Sequence, residues 1–287
     1  MIKINENKVV IPLTVVELES FFDSTSLKVI KYFLRKSLVS QPEKLPLQED
    51  IPIQIPKEHI EQWVCQSIGA IPVGAGSYAV DVLSKDKEWG ADIKMLSCQV
   101  NKNNGQLRNS NSGETSLSQN FGDSESIGGN TLDELFKKNE YGVIWDKWKY
   151  IFKKKYLKVN QDFGVTKIYY FFILRANLDF HLCGLKVDLN NLEKTEVNYE
   201  KSTNKSVWIK NFIDNNFGNV KVYRSKKRLE LRLRPKYWVD NNFVKTFSTD
   251  FKHLEVDIRN LVEEKELNSH IDSKMTPILK NLKIDIV

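Results

Sequence analysis

A chain of 287 residues, 41% hydrophobic and 11% aromatic, has the make-up of a globular protein long enough to bury a sizeable core. No apolar run approaches the ~20 residues needed to cross a bilayer, and the opening stretch MIKINENKVVIPL lacks a secretory pattern, so a cytoplasmic protein without membrane contact is expected. The net charge of +6 is too small to argue for nucleic acid by itself, while three scattered cysteines (Cys65, Cys98, Cys183) and four scattered histidines exclude familiar zinc spacings.

Any metal chemistry therefore falls to carboxylates. Along the chain, two helices are expected first, over residues 14–22 and 26–39. The second starts behind caps at Ser24 and Thr25, with Leu27, Ile30, Leu34 and Leu38 at helical spacing. A connector with prolines at 42, 46, 52 and 56 separates this N-terminal helical arm (1–56) from a core (57–190). The core opens with a short helix, EHIEQWVCQSI, closed by Gly69. Three strands follow, over 70–73, 78–84 and 91–98, the last two as a hairpin.

The Asn/Ser/Gly-rich stretch 99–130 reads as a long loop, of the kind found when a segment is disordered or functional. Thr131 then caps an amphipathic helix running to about residue 156, which Gly142 bends or splits. KIYYFFILR (167–175) has the unbroken apolar character of a strand buried on both faces and is expected at the centre of a sheet. Further strands are expected over 180–187 and 220–234, and a helix over 251–267 capped by Ser248 or Thr249. The whole is an α/β fold of the α+β kind: a mixed central sheet flanked by helices, with β-rich additions in 191–287 as an elaboration of the same domain.

An acid, any residue, then lysine occurs five times: Glu6-Asn7-Lys8, Asp92-Ile93-Lys94, Asp250-Phe251-Lys252, Glu263-Glu264-Lys265 and Asp272-Ser273-Lys274. The tripeptide alone selects nothing, so context has to. Asp250-Phe251-Lys252, preceded by Asp240, is the nearest rival, but it is read as the start of a helix, where acid and lysine project differently. In the strand over 91–98, alternation puts Asp92 and Lys94 on one face and Ile93 on the other, with Asp81 on the hairpin partner.

That order of helix, three strands, helix and buried strand, carrying Asp81 and Asp92-Ile93-Lys94, resembles the PD-(D/E)xK nuclease superfamily over about residues 58–175. Val80 stands where the family often has proline. The resemblance implies a restriction-endonuclease-like core, with Asp81, Asp92 and the Ile93 carbonyl as ligands of Mg2+. Lys94 would stabilise the charged transition state, or help the water lose its proton if its pKa is lowered. Glu58 or Glu61 would be a helix-borne acid, with Glu61 preferred. The activity implied is sequence-specific cleavage of double-stranded DNA by a type II restriction endonuclease, working as a homodimer beside a cognate DNA methyltransferase. A structure-specific repair or resolvase nuclease, and a non-catalytic DNA-binding protein, are the alternatives.

Basic residues crowd 147–158 and 221–236. Within the second cluster, Arg228-Leu229-Glu230-Leu231-Arg232-Leu233-Arg234 alternates strictly, as a strand with leucines on the core and a row of guanidinium groups outward. Candidate DNA contacts are Arg224, Lys227, Arg228, Arg232 and Arg234, joined by Lys102 and Arg108 in the polar loop. Gly74-Ala75-Gly76-Ser77 is read as a turn beside the DNA backbone, since a strand rather than a helix follows it.

Overall fold

The computed structural model describes residues 4–56, 59–73, 78–102, 105–118, 131–261, 263–281 and 284–286. The Gly74–Ser77 turn and Glu58 lie outside the described residues. The KIYYFFILR run forms β6 (Lys167–Ala176), buried along nearly all its length, as its continuous apolar character predicts. It is an inner strand of a mixed sheet. β4 (Trp89–Ser97) pairs with it in parallel, and β7 (Asp179–Val187) antiparallel on its other side.

Outward from β4 come β3 (Val82–Leu83) and β2 (Ile71–Pro72); outward from β7 come β12 (Lys245–Thr249) and β13 (Ile284–Ile286), giving the order β13-β12-β7-β6-β4-β3-β2. β1 (Val10–Pro12) shares the outer edge of β7, pairing with Leu185 to Val187 while β12 takes Asp179 to Leu182. A second, antiparallel sheet has the order β5 (Thr115–Ser118), β11 (Arg228–Leu233), β10 (Gly218–Tyr223), β9 (Ser206–Lys210) and β8 (Glu196–Val197).

Helices cover both faces of the central sheet. α1 (Val15–Glu19), α2 (Ser24–Val39) and α3 (Ile60–Ile68) pack Leu18, Ile30, Leu34 and Trp63 against Ile93, Phe171 and Ile173. The segment expected as an N-terminal arm thus supplies β1 and one wall of the core. On the opposite face, α5 (Tyr141–Phe163) packs Trp148, Phe152 and Tyr156 with Tyr170 and Phe172, and the same cluster takes in Leu229, Leu231 and Leu233 of the second sheet. At about 1.5–3 kcal/mol per fully buried side chain of this size, such interdigitation holds the two sheets on one core. No helix among the described residues is long and apolar enough to cross a membrane.

Several local expectations are corrected. The α2 cap is Asp23, one position earlier than Ser24, because its carboxylate accepts the Ser26 N–H. The helix expected from Thr131, bent or split at Gly142, is two: α4 (Leu132–Lys137), opened by a Thr131–Glu134 capping box, and α5. Asn139 in the left-handed region (φ 55°) makes the break, not Gly142. β5 lies inside the stretch read as loop. Residues 251–257 are not helical: main-chain bonds of 2.8–2.9 Å tie Leu254 and Val256 to Lys44, so pairing with the proline-spaced connector replaces the helix expected there. Helices resume with α6 (Pro235–Asp240) before β12 and α7 (Glu264–Asn281) after it.

Candidate active site

β4 has partners of unequal length. β6 pairs with every residue of it, whereas β3 pairs only with Gly90 and Ala91. Asp81 takes over where β3 stops. Its N–H donates to the Ala91 carbonyl at 2.8 Å, and its Oδ2 accepts the Ile93 N–H at 2.7 Å. Asp81 is therefore not within a strand, as read from the sequence, but is the residue just before a two-residue one. A strand residue points its N–H and C=O to the same edge, so the Ile93 carbonyl faces the side that Asp81 occupies.

Asp92 and Lys94 share the face of β4 that turns to α5, while Ala91, Ile93 and Met95 pack on the other face against α2 and α3. Asp92 is only 5% exposed. The Lys94 Nζ lies 2.5 Å from Asp92 Oδ1 and 3.3 Å from Asp81 Oδ2. The first contact is an ion pair that leaves Asp92 Oδ1 without a hydrogen bond of ordinary geometry.

Burial, with the negative charge of Asp81, pushes the Asp92 carboxyl up to about 6 against the pull of Lys94. Burial also acts to lower the Lys94 ammonium, but Asp92, Asp81 and Glu61 more than reverse it, so Lys94 is held above its ordinary range. The lowered pKa that would let Lys94 act on a water is therefore not found.

Glu61, in the first turn of α3, reaches the same cluster: partial burial and then Asp81 raise its carboxyl, and Lys94 opposes them. Its place on the helix before β2 matches the sequence expectation. Lys155 on α5 was missed. Its Nζ donates to the Leu117 carbonyl at 2.9 Å and lies in electrostatic reach of Asp92 and Asp81, with burial the larger influence lowering it. The signal was present in the sequence: Trp148, Phe152, Lys155 and Val159 follow i, i+4, i+7, i+11, so Lys155 belongs to the buried stripe of its helix. Next to it, the Tyr156 hydroxyl bonds that of Tyr170, the β6 partner of Asp92, and burial raises both phenols.

The donor set limits the ion it fits. Among the described residues no group of three or more His, Cys, Asp or Glu is placed to hold a metal, so a zinc-type site is not formed. Two carboxylates and a carbonyl, all hard oxygens, suit magnesium, which keeps several waters and binds through one or two carboxylates and a substrate phosphate.

The candidate DNA contacts divide. Lys102 and Arg108 are exposed in a short hairpin that continues β4, closed by the bridge Val100–Leu107, and Arg108 also bonds Asn101. Lys227 and Arg228 are exposed at the β10–β11 turn, and Arg234 is exposed beyond the end of β11. Arg224 is bound to Asp133 at 2.7 Å, and Arg232 to Glu114 and, at 2.8 Å, the Tyr223 hydroxyl. The expected row of guanidinium groups is thus interrupted, because Arg232 turns onto Glu114 and Tyr223. The leucine face is as expected, with Leu229, Leu231 and Leu233 fully buried. The rival Asp250-Phe251-Lys252 starts an irregular segment after β12 rather than a helix, and Phe251 is buried.

Comparison with known proteins returns no matching family, no matching characterised relative and no matching solved structure. The resemblance to PD-(D/E)xK nucleases accordingly stands on the element order and on these residues alone.

Proposed function

We propose that the chain is a cytoplasmic, magnesium-dependent restriction endonuclease that hydrolyses double-stranded DNA at a specific sequence. The observation that carries this reading is the meeting of Asp81, Asp92 and Lys94 where β3 ends, flanked by Glu61 and Lys155. Asp81 and Asp92, with the Ile93 carbonyl, would hold magnesium, which supplies polarisation of the scissile phosphate and orientation of the attacking water.

The chain's own residues do the rest. Lys94, borne on a rigid inner strand, places a fixed positive charge beside the carboxylates, where charge builds on the phosphate in the transition state. Lys155 adds a second cation from the helix above. Asp81 is locked by the Ile93 N–H, so its free oxygen keeps a constant direction. Lys102, Arg108, Lys227 and Arg234 supply backbone contacts that position the duplex. The reading includes a twofold dimer suited to a palindromic site and a partner methyltransferase that protects host DNA.

Incubating the purified protein with unmethylated phage DNA and magnesium tests it. Discrete fragments that vanish with Asp92→Ala are expected. No cleavage, or cleavage unaltered in Asp92→Ala, overturns the assignment.

A further inference from the structure

β4 does not end at the catalytic cluster. Three residues past Lys94, roughly 10 Å at strand rise, Ser97 accepts the Gly113 N–H at 2.7 Å, and Ser112 bonds Leu233 of β11. This ties the second sheet to the end of the candidate catalytic strand and leaves a cleft of about 570 Å3 between them, within the ~300–1,000 Å3 usual for ligand sites. Its lining includes Ser97, Gln99, Ser116, Arg228, Glu230 and Arg232.

Glu230 is the unusual member. It is 2% exposed on the polar face of β11, yet its Oε2 has no hydrogen-bond partner. Its other oxygen, Oε1, lies 3.6 Å from Lys226, and Lys221 faces it across the β10–β11 pair. Burial raises its carboxyl against the pull of Lys226 and Arg228. An unpaired carboxylate oxygen in such surroundings costs free energy unless a donor arrives. Arg228, exposed with donors to spare, lines the cleft with Glu230, so a group that enters and uncovers Glu230 meets an acceptor beside donors.

That pairing is complementary to the major-groove edge of a base pair with an exocyclic amine: the amine donates to a carboxylate, and purine N7 or O6 accepts from arginine. We infer that this cleft reads one base pair of the DNA site, with Glu230 accepting from the exocyclic amine of adenine or cytosine and Arg228 donating to the purine acceptors. The inference rests on the proposed DNA substrate, and it makes Glu230 a specificity residue that lies off the reacting atoms.

The test is selection of bound duplexes from a pool with a randomised centre, without magnesium, alongside a separate cleavage assay on phage DNA. Wild type is expected to enrich one sequence. Glu230→Gln, checked for folding by circular dichroism, is expected to lose roughly 10- to 100-fold of the preference at one position while other positions hold. Gln99→Ala, at the exposed rim of the cleft, should relax the same position by a smaller factor.

A second arm needs no variant: N6-methyladenine or N4-methylcytosine at that position should weaken wild-type binding by a similar factor, and which of the two acts identifies the base. Unchanged selection in Glu230→Gln, or no amine-methyl effect at any position, overturns the inference even if the protein cuts DNA. Altered selection without cleavage by wild type leaves the inference standing and overturns the nuclease reading instead.

Discussion

On β4, two carboxylates, Asp81 and Asp92, share the single ammonium of Lys94; on the second sheet, a single carboxylate, Glu114, is shared by Arg232, Lys226 and the Tyr223 hydroxyl. The residue types are the same and the balance is opposite. Counting Glu61 and Lys155, the first cluster has three carboxylates to two cations, and burial above all raises its innermost member, Asp92, against the pull of Lys94. The second has cations to spare and saturates Glu114, though not the Glu230 Oε2 beside it, while Lys221 lies over the Trp208 and Tyr223 rings. Charged groups on a strand therefore say little about function until the excess is known. An excess of carboxylate invites a cation, whereas a satisfied carboxylate holds a sheet together.

The comparison breaks first at Asp92. Asp92→Ala should cut DNA at least 10²–10³-fold more slowly while keeping its affinity for the site, measured by single-turnover cleavage and by binding without metal. Equal losses in binding and cleavage would show that the carboxylate is part of the contact surface rather than of the reacting centre.

At the second cluster the expected loss is of stability. Glu114→Gln should lower the unfolding free energy by about 2 kcal/mol in urea titration, since it strips a partly covered acceptor from Arg232 and Lys226. A stability loss this large at Asp81 and none at Glu114 would invert the contrast.

The contrast sharpens with pH in the metal-free protein. Because burial raises the Asp92 carboxyl, the folded chain holds that proton more tightly than the unfolded one, so its contribution is fully present below the unfolded value of about 4 and is lost as pH rises through about 6. Asp92→Asn should match wild type near pH 4 and exceed it by roughly 1–3 kcal/mol at pH 8, read from thermal unfolding in chelator.

Lys155→Met should slow cleavage on the order of tenfold with little change in binding, because its ammonium is held by the Leu117 carbonyl above the carboxylates. The smallest effect belongs to the rim. Lys102→Ala or Arg108→Ala should lower the salt dependence of binding by about one unit of slope each and leave sequence preference as it was.

Much of the centre was legible from the sequence. The unbroken apolar run carried the signature of a strand covered on both faces, and alternation correctly placed Asp92 and Lys94 on one side of β4. Gly69 marked the end of α3 and left Glu61 in its first turn, near the other acids. What escaped is mostly decided at a distance. β3 is two residues long because Asp81 gives its side chain, not a further strand residue, to the edge of β4. β5 lies in a polar stretch with little apolar signal of its own, and it forms because β11 offers it an edge. The helical period after Phe251 was real, but the main chain there bonds the connector near Lys44 instead. Arg232 looked free because alternation reveals a face and not the Glu114 that comes to meet it.

The outer edge of β7, divided between β1 at one half and β12 at the other, sets an order of events during synthesis. β1 is already made when β7 appears, so Leu185 to Val187 gain a partner at once. The half bearing Phe180 and Leu182 waits for Lys245 to Thr249, nearly sixty residues later. At about 5–20 residues per second that is roughly 3–12 s during which a growing chain shows neighbours an unpaired, apolar strand edge. A chain stopped short of Lys245 would keep that edge, and an unpaired edge of this kind is a template for pairing with another chain.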